Sequence, residues 1–159
     1  VALTRTATVA GELEQVHDRV SERAYELSCT SGCSNSPEEN WLTAERELLW
    51  QPAVEVCQKD GRFEVRAAVG GVDSKDLALT VTSEDLVIKG NGAHEHGAER
   101  GTVHVCEFSR GRLFRSIHFP EAIDPAKVTA ECKNGLLTIT ASIAESADAK
   151  RAKRPRGGR

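Results

Sequence analysis

Apolar residues repeat at helical spacing along the first third of the chain and at strand spacing along most of the rest. Leu13, Val16, Val20, Ala24 and Leu27 recur three and four apart, which predicts a helix over about 11–29, with Gly32 placed to stop it. Ser36-Pro37-Glu38-Glu39 then supplies a capping hydroxyl, a proline at the first helical position and an acid three residues after the cap. A second helix is predicted to start there and to carry Trp41, Leu42, Ala44, Leu48 and Leu49, with Pro52 ending the helical signal. Two amphipathic helices joined by a short polar loop form a hairpin whose stripes must meet each other, the rest of the protein or another subunit.

From Val54 the period falls to two. Val54 and Val56 are followed by the turn Lys59-Asp60-Gly61, then by Phe63, Val65, Ala67 and Val69. Leu77, Leu79 and Val81 make a third run, and Leu86 and Ile88 a fourth that Gly90 closes. Leu113, Arg115, Ile117 and Phe119 alternate up to Pro120. A last hairpin puts Val128, Ala130 and Cys132 on one arm and Leu137, Ile139 and Ala141 on the other. Asn134-Gly135 between them suits a type I′ turn, because both residues take positive φ at little cost. Regular short strands with no helices between them predict a mainly β chain, an antiparallel β-sandwich preceded by an α-helical hairpin. Residues 91–112 make a long connection for such a domain, and within it Val103, Val105 and Phe108 hint at one more strand. The expected divisions are a helical arm over 1–51, the sandwich over 52–144 and a tail over 145–159.

Charge changes this picture at one end. The 159 residues carry a net −3, yet the last ten hold six basic residues and no acidic one, so the remainder carries −9. The basic run is expected to be a solvated, flexible tail rather than a nucleic-acid site. No apolar stretch approaches the length that crosses a bilayer, and no signal-peptide pattern opens the chain, so no membrane partner and a cytoplasmic location are expected. Cys29, Cys33, Cys57, Cys106 and Cys132 are odd in number and scattered, which favours free thiols over a disulfide framework. Cys29 and Cys33 with His17 lack the second ligand pair of a structural zinc site, and His94-Glu95-His96 lacks the helical HExxH spacing. Neither a catalytic triad nor a phosphate-cradling loop stands out. The expectation is no metal, no cofactor and no enzyme.

Three stretches carry a family resemblance. FEVRAAVGGVDSKDL (63–77), LVIKG (86–90) and FRSIHFPEAIDPAKVTAECKNGLLTI (114–139) together resemble the alpha-crystallin domain of small heat-shock proteins over residues 53–143. Gly70 stands where that family usually has proline. Residues 19–49, with RAYEL and NWLTAERELL, resemble a short bacterial helical domain of unknown function.

The resemblance implies an immunoglobulin-like sandwich and an ATP-independent chaperone that holds unfolded or partly unfolded clients through apolar surface. It also implies a homodimer, possibly a higher oligomer. By the resemblance, a groove for clients or subunit tails lies between Leu77, Leu79 and Val81 on one strand and Val128, Ala130 and Cys132 on another. As ordinary sandwich positions these six also suit a core. A dimer interface is implied at Arg115 and in the long loop, with Val103 and Val105 on a strand swapped onto the neighbour and Glu99 and Glu107 as acidic partners. The residues alone agree that Arg115 needs an acid, since it shares parity with Leu113 and Ile117, although it could instead snorkel at a strand edge. Residues 144–159 contain no Ile-x-Ile anchor of the kind that docks into a neighbour's groove, so dimers or small oligomers are expected. The rival reading is a co-chaperone or scaffold module of the same fold that binds one folded partner.

Overall fold

The computed structural model describes residues 1–32, 34–91, 101–108 and 111–145. Its first element is a short strand, β1 (Ala2–Arg5), followed by α1 (Ala10–Thr30) and α2 (Pro37–Leu48). The second helix begins as its sequence dictates. Ser36 Oγ accepts a hydrogen bond from the Glu39 N–H at 3.2 Å, while the Ser36 N–H donates to Glu39 Oε2 at 2.8 Å. Gly32, at φ 59°, follows the end of α1. The helices pack on each other, burying Val20 and Ala44. Arg23 of α1 clamps Glu47 of α2 at 2.8 Å, and the hydrogen bonds it donates to Glu47 and Glu26 raise its guanidinium pKa above the ordinary value.

The helix ends sooner than the apolar pattern suggests. Leu49–Trp50 is already extended and forms β2, which pairs in parallel with β7 (Arg112–His118) through Leu49↔Arg112 and Trp50↔Leu113. Gly111 permits this approach, because a Cβ there would lie 2.6 Å from the Leu49 nitrogen.

The remaining strands are β3 (Val54–Lys59), β4 (Arg62–Ala68), β5 (Leu77–Val81), β6 (Asp85–Gly90), β8 (Ile123–Lys133) and β9 (Leu136–Ile143). They build two sheets, β1-β5-β6-β7-β2 and β3-β4-β9-β8. The second is antiparallel throughout, and the first is antiparallel except at its edges, where β1 and β2 add in parallel. The turn between β8 and β9 is the Asn134-Gly135 pair, at φ 52° and 76°, and Asp60-Gly61 repeats those angles between β3 and β4.

Period-two alternation aims one face of each sheet inward. Phe63, Val65 and Ala67 of β4 and Leu137, Ile139 and Ala141 of β9 meet Leu77, Leu79 and Val81 of β5 with Leu86 and Ile88 of β6, all buried. Phe63 and Phe119 stack across the core with centroids 5.2 Å apart. The outer face of the first sheet is covered as well. Thr80 and Val87, opposite each other on β5 and β6, face away from the core yet are buried, and Glu12 of α1 bonds the Thr80 hydroxyl at 2.8 Å.

Candidate functional site

Two apolar regions of the surface are candidates for binding other chains. The first is the seam where β5 and β8 edge the two sheets. Leu77, Leu79 and Val81 are completely enclosed and Val128 nearly so; they belong to the core, and their side chains face no solvent. Only Ala130 and Cys132 are half-buried along the seam. The expected groove is not open, because β1 fills it. Ala2, Leu3, Thr4 and Arg5 pair with Ala78, Leu79, Thr80 and Val81, and the Thr6 N–H continues the ladder to the Val81 carbonyl at 3.0 Å. Leu3 packs on the core, and Arg5 Nε crosses to the Pro125 carbonyl of β8 at 2.7 Å. The segment thus takes up the hydrogen-bonding edge of β5 and bridges toward the other sheet.

The second comprises β3, the edge strand of the antiparallel sheet, which has no strand on its outer side among the described residues, and the long connection after β6. Val56 there is 41% exposed. In the long connection Val103, Val105 and Phe108 are exposed too, Val105 to 80%, and residues 101–108 form no strand. The apolar residues of this loop pair with no strand among the described residues, and a strand exists only through such pairing.

Arg115 sits on β7 opposite Ile88, half-buried on the parity of Leu113 and Ile117. Its Nη1 donates to Gln51 Oε1 at 3.2 Å, and its Nε is buried without an acceptor among the described residues. No acid among the described residues bonds it. Glu107 is exposed, and Glu99 lies outside the described residues. Sequence reasoning missed Gln51, which the expected divisions placed at the end of the helical arm.

Of the remaining candidates, His17 stacks against Trp41 at 5.1 Å, and Cys29 and Cys57 are exposed free thiols. Cys33, His94, Glu95, His96 and the basic residues of the tail lie outside the described residues. No helix among the described residues is long and apolar enough to cross a membrane.

A two-sheet sandwich closed by the Asn-Gly hairpin, with helices ahead of it, defines the alpha-crystallin class of fold. The chain belongs to the Hsp20/alpha crystallin family, which it matches over residues 55–155. Residues 15–49 match a second family, described only as a protein of unknown function, DUF2934. Spore protein SP21 of Stigmatella aurantiaca is 34% identical over 89 residues, which cover 56% of this chain and 53% of that protein. The alpha-crystallin of Mycobacterium tuberculosis is 31% identical over 88 residues, covering 55% and 58% respectively. The matched region thus spans little more than half the length of these relatives. Among solved structures, heat shock protein 16.0 from Schizosaccharomyces pombe superposes with a TM-score of 0.56 at 28% identity, covering 60% of this chain and 89% of that one. The hspA of Xanthomonas axonopodis shares the fold at 24% identity and a TM-score of 0.54, covering 59% and 94%. Membership in this family supports a chaperone role.

Proposed function

We propose that the chain is an ATP-independent holdase that works as a dimer or small oligomer and binds partly unfolded clients through apolar surface. The observation that carries this reading is the apolar surface left exposed on a folded sandwich of this family: Val56 on a strand edge with no neighbouring strand among the described residues, and Val103, Val105 and Phe108 in one loop. Edges of this kind invite another chain, and proteins that keep one exposed usually cover it by assembly. In the proposed dimer, residues 103–105 of one subunit add to β3 of the other. Glu99 or Glu107 of one copy then supplies the acceptor that Arg115 Nε of the other copy lacks. Clients are held at the β5–β8 seam when it is uncovered, lined there by Ala130 and Cys132.

Such binding needs no fuel. Removing about 200 Å² of a client's apolar surface from water contributes roughly 5 kcal/mol before the entropy of association, enough to slow self-association while staying reversible. The test heats an aggregation-prone client with this protein and without nucleotide, following light scatter. Scatter should fall as the protein approaches equimolar. Unchanged scatter at several-fold excess rules the reading out, and protection of a single client among many supports the scaffold alternative.

A further inference from the structure

We propose that the subunit interface carries a thiol pair, Cys57 of one copy and Cys106 of the other, which hydrogen peroxide joins into an intersubunit disulfide. The proposal rests on the dimer reading above, in which residues 103–105 of one subunit add to β3 of the other. The sequence repeats itself across that contact. β3 opens with Val54-Glu55-Val56-Cys57, and the long connection contains Val103-His104-Val105-Cys106, the same spacing of two valines and a cysteine. Alternation decides which way these side chains point. Val54 and Val56 lie opposite Ala67 and Val65, both enclosed in the core, so that face of β3 looks inward. Glu55 and Cys57 lie opposite Arg66 and Glu64, an ion pair on the solvent face. A strand added to β3 buries Val103 and Val105, 46% and 80% exposed in the single chain, only if they look inward beside Val54 and Val56. His104 and Cys106 then emerge on the face that holds Glu55 and Cys57.

Strand direction fixes which of them meet. In a parallel addition with the valines side by side, Val54–Lys59 runs along residues 103–108, His104 falls beside Glu55 and Cys106 beside Cys57. In an antiparallel addition with the valines matched, His104 still falls beside Glu55, but Cys57 meets Thr102, Cys106 meets Ala53 and Phe108 runs past Pro52, off the strand. The parallel alignment uses the whole of β3, and it is the direction in which β1 and β2 add to the other sheet. It places the two α-carbons about 4.8 Å apart, inside the roughly 4.4–6.8 Å that a disulfide spans. Both thiols are free, Cys57 exposed and Cys106 partly so, and an oxidant reaches them from the solvent face. One thiolate attacks the peroxide, giving a sulfenic acid and, with a proton, water. The second thiolate attacks that sulfur, the S–S bond forms, and the departing hydroxide takes a proton as a second water. The two thiols give up two electrons and the peroxide gains them. Two-fold symmetry makes the link twice, which turns a concentration-dependent dimer into a covalent one until a dithiol reductant reverses it by exchange.

The test uses the full chain with Cys29, Cys33 and Cys132 replaced by serine, so that Cys57 and Cys106 are the thiols left. Treated with hydrogen peroxide and run on a gel without reductant, it should migrate at twice the 17.2 kDa of the single chain, and at the single mass after dithiothreitol. Cys57→Ser and Cys106→Ser, each alone in that background, should stay at the single mass. An oxidised mixture of the two should give the linked dimer, because each copy supplies the thiol the other lacks. Linking of either variant alone to the same extent as the mixture overturns the pair, as does loss of both thiols at the single mass, which places the bond within one chain. If the serine background does not fold, wild type serves, with the joined peptides identified by mass spectrometry. A second pair reads the interface whatever the strand direction: Glu55→Cys with His104→Cys, in a chain without other cysteines, sets thiols side by side in both alignments. Linking of that pair without linking of Cys57 to Cys106 overturns the disulfide and leaves the swapped dimer standing. Linking of neither pair refutes the swap and the disulfide together.

Discussion

Replacing Arg115 with alanine separates what this residue does within one chain from what it does between two. Inside the chain the guanidinium is half-buried, with one long bond to Gln51 and one enclosed N–H that has no acceptor among the described residues. An enclosed N–H left unsatisfied costs about 1–3 kcal/mol, while the bond to Gln51 contributes roughly 0.5–1.5 kcal/mol. The two nearly cancel, and the stem's packing adds little, so Arg115→Ala should change the unfolding free energy of the isolated chain by less than about 1.5 kcal/mol.

Between chains the arithmetic differs. A carboxylate from the partner that meets Nε makes a charge-assisted bond worth roughly 1.5–3 kcal/mol, and two-fold symmetry makes that bond twice. Losing both should weaken dimerisation by about 3–6 kcal/mol, a rise of some two to four decades in the dissociation constant. Sedimentation velocity across a concentration series reads the second quantity, and urea unfolding at a concentration where the chain is monomeric reads the first. A dissociation constant that stays within about threefold of wild type refutes the interface assignment. So does a loss of more than about 3 kcal/mol in the isolated chain, which would make Arg115 a structural residue of the core.

Three further outcomes follow from the fold. Ile139→Ala, at the centre of β9 and fully enclosed, should cost about 2–5 kcal/mol in urea unfolding, since the surrounding sheets can close only part of the cavity. Gly135→Ala should cost more than Gly61→Ala. Both sit at positive φ, which charges an alanine about 1–2 kcal/mol, but a Cβ at 135 would also meet Gly70 Cα at 3.1 Å, whereas at 61 it enters open space. Thermal melts of the two variants measure the difference, and equal melting temperatures would deny that the turn is pressed against Gly70. Ser36→Ala should lower helix stability by about 1 kcal/mol, seen as faster hydrogen exchange in α2 with no change at β9, because it opens the capping box and touches nothing in the sandwich.

Much of the fold was legible because it rests on local chemistry. The capping sequence at Ser36 starts α2 where the rule puts it, and Asn134-Gly135 turns the chain with both residues at positive φ. The alternating runs from Val54 to Lys89 and from Leu113 to Ile143 became paired strands, and the run at Val103 and Val105, which pairs with no strand among the described residues, did not.

The two strands that sequence reasoning missed share one physical cause. Ala2–Arg5 and Leu49–Trp50 are too short to display a period, and neither is flanked by a turn that would join it to its partner. Both are parallel additions at opposite edges of one sheet, formed because the helices between them deliver chain to those edges: α1 through Glu12 at one side, α2 through Gly111 at the other. A strand of this kind is a product of tertiary placement and not of its own residues. The core strands are held by interlocking side chains on two sheets, whereas β1 is held by its ladder to β5, by Leu3 against the core and by the Arg5 bond to Pro125.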